Sequence, residues 1–117
     1  MRISDLAPTL GLVLAQPEFT DREISSGYAS DLLSDVMANA KADGVLVTVQ
    51  AHKNTIAVAA LAGLAAVVVC NGRPLPGDMI ESARAEGVAV LSTKEAAFET
   101  AGRLWAALQD AALRGAP

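Results

Sequence analysis

Gly44-Val45-Leu46-Val47-Thr48-Val49, then Thr55 to Leu61, then Ala65-Ala66-Val67-Val68-Val69-Cys70-Asn71-Gly72-Arg73, carry the most regular apolar pattern in the chain. Val45 to Val49 is a β-branched apolar run without polar alternation, which marks a strand covered on both faces. Thr55 to Leu61 reads as a helix that stops at Gly63, and Ala66 to Cys70 as the next buried strand. Asn71-Gly72-Arg73-Pro74 then turns the chain. Strand, helix, strand at this spacing is the crossover unit of a parallel sheet.

The pattern continues toward the C-terminus. Asp78-Met79-Ile80-Glu81 has the form of a capping box opening a helix to Ala85, with Gly87 beyond its end. Val88-Ala89-Val90-Leu91 is a further strand, and Ser92-Thr93-Lys94-Glu95 a second capping box. The helix that follows places Ala97, Phe98, Ala101, Leu104, Trp105 and Leu108 on one face.

Toward the N-terminus the alternation is weaker. Ser4 to Leu10 reads as a short helix ending at Gly11 despite Pro8, and Leu12 to Ala15 as a strand broken by Gln16-Pro17. Within the polar segment Glu18 to Ser30, Ile24 to Ala29 is assigned a strand. Leu32, Leu33, Val36 and Met37 share a helical face, with Asp31 at its start as a cap. The expectation is an α/β domain with a mostly parallel sheet and helices on both faces. It spans residues 1–110, with 111–117 as a C-terminal tail.

At 117 residues the chain is one domain in size, 52% hydrophobic but only 3% aromatic. A core of Ala, Val, Leu and Ile buries little area per side chain, so a homodimer is expected. The net charge of −4 and nine scattered Lys and Arg residues argue against a nucleic-acid partner or an anionic membrane surface. No charge lies between Lys53 and Arg73, a length approaching a bilayer span. Gly63 divides that stretch into an Ala-rich half and a β-branched half, so helix, turn and strand explain it better than a membrane helix. The single cysteine, Cys70, has no partner for an intramolecular disulfide. Met1-Arg2-Ile3-Ser4-Asp5 lacks the pattern of a signal peptide, giving a cytoplasmic expectation.

In an open parallel sheet, ligands collect beyond the carboxyl ends of the strands. Three such ends carry polar residues: Gln50, His52, Lys53 and Asn54; Asn71, Gly72 and Arg73; and Ser92, Thr93 and Lys94. The first set surrounds a helix N-terminus, where backbone N–H groups favour anions. Each set also has a local reading: His52 as a helix-start hydrogen-bonding group, Asn71-Gly72 as turn chemistry, Ser92 as a cap. An acid–base site would need His52 and Lys53 to meet Asp31 or Asp35. Asp21, Asp31, Asp35 and His52 fit no metal-ligand spacing, and no metal or cofactor is expected. No Gly-x-x-x-x-Gly-Lys-Ser/Thr, Gly-x-Gly-x-x-Gly or Gly-x-Ser-x-Gly motif occurs.

Three blocks carry a family resemblance. Asp21-Arg22-Glu23-Ile24-Ser25-Ser26-Gly27-Tyr28, with Ser30-Asp31-Leu32-Leu33-Ser34-Asp35-Val36-Met37-Ala38-Asn39-Ala40 after it, resembles the signature of the DRTGG domain family. Thr48 to Asn54 with Ala57-Val58-Ala59 resembles its next block, and Leu91-Ser92-Thr93 with Phe98 to Leu104 its last. Ser25-Ser26 stands where Thr-Gly is usual. The resemblance covers roughly residues 2–108 and assigns Asp21, Arg22, Gly27, Tyr28 and Asp31 to the family motif. It implies a three-layer α/β/α sandwich similar to the N-terminal domain of HPr kinase/phosphorylase. Related domains are accessory parts of certain phosphotransacetylases, and of pyrophosphatases whose CBS domains bind adenine nucleotides. Stand-alone members resemble proteins encoded near iron-hydrogenase maturation genes, some labelled serine kinases. Without a phosphate loop that label does not fit this sequence. The functional expectation is a non-catalytic regulatory domain, dimeric, binding a small anionic ligand, an adenine nucleotide among the candidates, or a partner protein. A small enzyme or a structural partner domain are the alternatives.

Overall fold

A computed structural model describes residues 1–115. After a 3-10 turn at Ile3–Asp5, α1 spans Leu6–Leu10 and β1 Val13–Gln16. Then come β2 (Ser26–Ala29), α2 (Leu33–Asn39), β3 (Gly44–Thr48), α3 (Lys53–Leu61) and β4 (Ala66–Val69). The chain continues through α4 (Gly77–Glu86), β5 (Ala89–Ser92) and α5 (Ala97–Gly115). Helix α5 runs past the boundary expected at residue 110; Ala116 and Pro117 of the expected tail lie outside the described residues.

The five strands form one sheet in the order β1-β5-β4-β3-β2. β2, β3, β4 and β5 are mutually parallel, and β1 joins β5 antiparallel. The mostly parallel α/β class is therefore as expected. Strands β3 and β4 are buried along their whole length, which is why their sequences show no polar alternation.

Successive side chains on each strand serve opposite layers. Val45, Val47, Ala66, Val68, Ala89 and Leu91 pack with Ile3, Leu6, Leu10 and Leu104, the side of the 3-10 turn, α1 and α5. Leu46, Val67, Val69 and Val90 pack with Val36, Ile56, Ala59, Met79 and Ala83, the side of α2, α3 and α4. No helix among the described residues is long and apolar enough to cross a membrane.

Four local expectations are corrected. Asp31 does not cap α2, whose N-cap is Leu32; the Asp31 carboxylate turns to the end of β3 instead. The Asp78–Glu81 box does not form, because α4 begins at Gly77 behind Pro76, which has no side-chain cap bond. The Ser92–Glu95 box does not form either. Ser92 is the last paired residue of β5, so α5 starts only at Ala97. The apolar stripes also divide: on α2 only Val36 is buried while Leu32 and Met37 are exposed, and on α5 Phe98 and Trp105 stay 84% and 67% exposed beside buried Leu104.

Candidate functional site

β3, β4 and β5 are parallel, so the loops that follow them leave the same end of the sheet, where those after β4 and β5 are tied to each other. Asn71 and Gly72 adopt left-handed backbone (φ 65° and 61°), a pair of values that Asn and Gly tolerate best. Their N–H groups donate to the carbonyls of Glu95 (3.0 Å) and Thr93 (2.9 Å), fastening the loop after β4 to the loop after β5. Thr93 Oγ1 accepts from the Glu95 N–H at 3.1 Å. The Glu95 carboxylate in turn accepts from Thr100 Oγ1 (3.2 Å) and Arg103 (2.8 Å). Arg103 also donates to the Leu10 carbonyl at the end of α1, so it ties α5, α1 and this rim together.

The loop after β3 is held separately. Asp31 Oδ1 accepts from Thr48 Oγ1 (2.9 Å) and the Val49 N–H (2.8 Å), and Gln50 Nε2 donates to the Asp31 carbonyl (3.0 Å). Buried Thr55 donates to the Gln50 carbonyl at 2.8 Å. His52 is the N-cap of α3, with Nδ1 accepting from the Asn54 N–H at 3.0 Å. That bond requires an unprotonated Nδ1, the helix-start role read from the sequence. Asp31, Asp35, His52 and Lys53 form no ion pair or hydrogen bond with one another, so the acid–base set is not assembled. Lys53, Arg73 and Lys94 enter no ion pair among the described residues. Lys53 and Asn54 line a shallow depression of about 240 Å³ between α3 and α4. Burial raises the Cys70 thiol above its ordinary value, so this side chain packs as a protonated thiol.

The motif residues Asp21 to Tyr28 act as braces. Asp21 accepts from the Ser4 N–H (3.0 Å), Ser4 Oγ (2.6 Å) and Arg2 Nε (3.2 Å), clamping the 3-10 turn. The Ser4 hydroxyl foremost, helped by its N–H and by Arg2, holds the Asp21 carboxyl below its usual range. Arg22 lies 2.9 Å from the Asp43 carboxylate and donates to the Gly63 carbonyl, bracing the turns that flank β3 and β4. Tyr28 donates to Asp35 at 2.8 Å, which raises the phenol and lowers the carboxyl. Gly27 faces α5, where an added Cβ would sit 2.9 Å from Leu104 Cδ2, so a larger residue there would make the Leu104 side chain shift.

Sequence reasoning did not find the concavity beside β2. It is an apolar groove of about 480 Å³ between β2 and the first half of α5. Gly27, Ala29, Val47, Ala101 and Leu104 are among its walls, and Phe98 and Trp105 stand along it. Its signal was present: Phe98 and Trp105 are seven residues apart, one position round the helix from the Ala97–Leu104 stripe.

Comparisons with known proteins place this geometry. No curated protein is matched at a significant level. Among solved structures, the chain is similar to the one holding the CBS and DRTGG domains of the regulatory region of the Clostridium perfringens pyrophosphatase, complexed with its activator diadenosine tetraphosphate. The TM-score is 0.66 at 12% identity, and the match covers 84% of this chain but 43% of that one, less than half its length. The model of the DRTGG domain matches residues 13–107, most of the sheet and its helices, and on that match the chain belongs to the DRTGG domain family.

Proposed function

We propose that this chain is a non-catalytic regulatory domain that works as a homodimer and binds a small anionic ligand at the carboxyl end of its sheet. The observation that carries the reading is the charge arrangement there. Asp31 and Glu95 are engaged by internal donors, while Lys53, Arg73 and Lys94 on three successive loops are left unpaired. Around an acidic chain, such an end is where an anion gains most. That His52 and Lys53 share no hydrogen bond or ion pair with Asp31 or Asp35 supports binding over turnover.

An adenine nucleotide is the first ligand class to test. The solved relative carries a dinucleoside polyphosphate in a regulatory region, and that region includes CBS domains. The experiment is calorimetry and thermal shift with AMP, ADP, ATP and diadenosine tetraphosphate, against inorganic phosphate as the bare anion. A true ligand at a hundred times its Kd stabilises the fold by about 2.7 kcal/mol. Lys53→Ala with Lys94→Ala should weaken that binding at least tenfold. A flat response to the whole panel overturns the anion reading.

A further inference from the structure

We infer that the groove between β2 and α5, with the free edge of β2, is the surface on which a second copy of this chain docks. The two β2 strands pair antiparallel, making one continuous sheet across the dimer. This deepens the dimer part of the reading above and is independent of the anion.

β2 hydrogen-bonds to β3 alone, so its outer row of N–H and C=O groups has no partner among the described residues. Ser30 N–H donates to the Val47 carbonyl at 3.2 Å, and backbone direction alternates along a parallel ladder. Gly27 and Ala29 therefore turn their backbone groups outward. Two such edges meeting about a two-fold axis at Tyr28 place Gly27 opposite the partner's Ala29, the pairing in which both backbone bonds are exchanged.

The surface is self-complementary. One patch carries both a hollow floored by small residues (Gly27, Ala29, Ala101, Gly102) and two exposed aromatic knobs (Phe98, Trp105). A two-fold normal to the sheet keeps both copies of α5 on the same face, so the knobs of one copy reach the hollow of the other. None of the residues lining the groove is charged. Copies of net charge −4 repel, and an uncharged face is where they approach at least cost. The exposed parts of Phe98 and Trp105 offer roughly 300 Å² per copy, over a third of the roughly 800 Å² each partner gives to a standard interface. On the opposite face, the helix after β2 adds exposed Leu32 and Met37.

The test is the solution mass of the full chain at micromolar concentration, by light scattering and native mass spectrometry without added ligand. The wild type is expected at twice the chain mass. Phe98→Asp with Trp105→Asp should halve it, as should Ala29→Pro, which removes an outward N–H. Val13→Asp on the opposite sheet edge should leave it unchanged. The Phe98 and Trp105 changes are at exposed positions, so circular dichroism should show an intact fold. A monomeric wild type overturns both this inference and the dimer reading, whatever other partner the groove accepts. A dimer untouched by the β2–α5 variants, or broken by Val13→Asp, overturns this inference alone.

Discussion

The two edges of the sheet are finished in opposite ways. At β1 the strand runs antiparallel to its neighbour, its register slips between Leu14 and Gln16, and Pro17 follows at once. Buried Gln16 donates to the Val88 and Glu18 carbonyls (2.9 and 3.0 Å) and accepts from the Glu18 N–H (2.7 Å). An ion pair between Glu18 and Arg84 lies beyond it. A bulge, a proline and charged neighbours are the means by which proteins blunt an edge against further pairing. At β2 there is neither bulge nor flanking proline: Ser26–Ala29 pairs in unbroken register, and an apolar groove runs beside it. Exposed apolar side chains occur at both edges, Val13 and Leu14 included, so exposure alone does not separate them. The difference lies in whether the backbone edge is left available.

Leu104 is the buried anchor that seats α5 against Gly27 of β2. Leu104→Ala should cost about 2–5 kcal/mol in urea unfolding and loosen the groove wall. Gln16→Ala attacks the blunted edge. It leaves the buried Val88 carbonyl without its donor and should cost about 1–3 kcal/mol, with the protein showing more aggregation on light scattering as that edge opens. Asp31→Ala, at the rim between the edges, removes the acceptor for Thr48 and Val49. About 1–2 kcal/mol of destabilisation is expected, visible as faster hydrogen exchange at Val49.

The smallest effect is electrostatic. Asp21 and Asp35 both titrate below the usual carboxylate value in the folded protein, so they release protons more readily folded than unfolded. Their contribution is present above the unfolded carboxylate pKa and lost as pH falls through the lowered folded values. Asp35→Asn should therefore flatten the acid limb of the thermal-stability curve and leave its neutral-to-basic shape unchanged. Both groups are half-buried and in reach of solvent ions, so the effect should be weaker in high salt.

Much of the fold was legible. Val45 to Val47 and Ala66 to Val69 read as strands covered on both faces, because these short runs are apolar throughout and rich in valine. His52 as a helix-start group was legible too, since its bond to Asn54 is local. Asp31 was misread because its partners, Thr48 and Val49, lie on another strand. The Ser92–Glu95 motif was misread because pairing of Ser92 with Val69 outweighs a cap. For Phe98 and Trp105, periodicity shows which way a side chain turns but not whether anything lies there.

The strand–helix alternation, the two-sided burial of the central strands and the family signature are each written in contiguous residues. The strand order, the antiparallel placing of β1 and the groove beside β2 are not. Those follow from which elements lie side by side. α5 sits on the last strand of the sheet, covers it with Ala101 and Leu104, and has no further strand to receive Phe98 and Trp105.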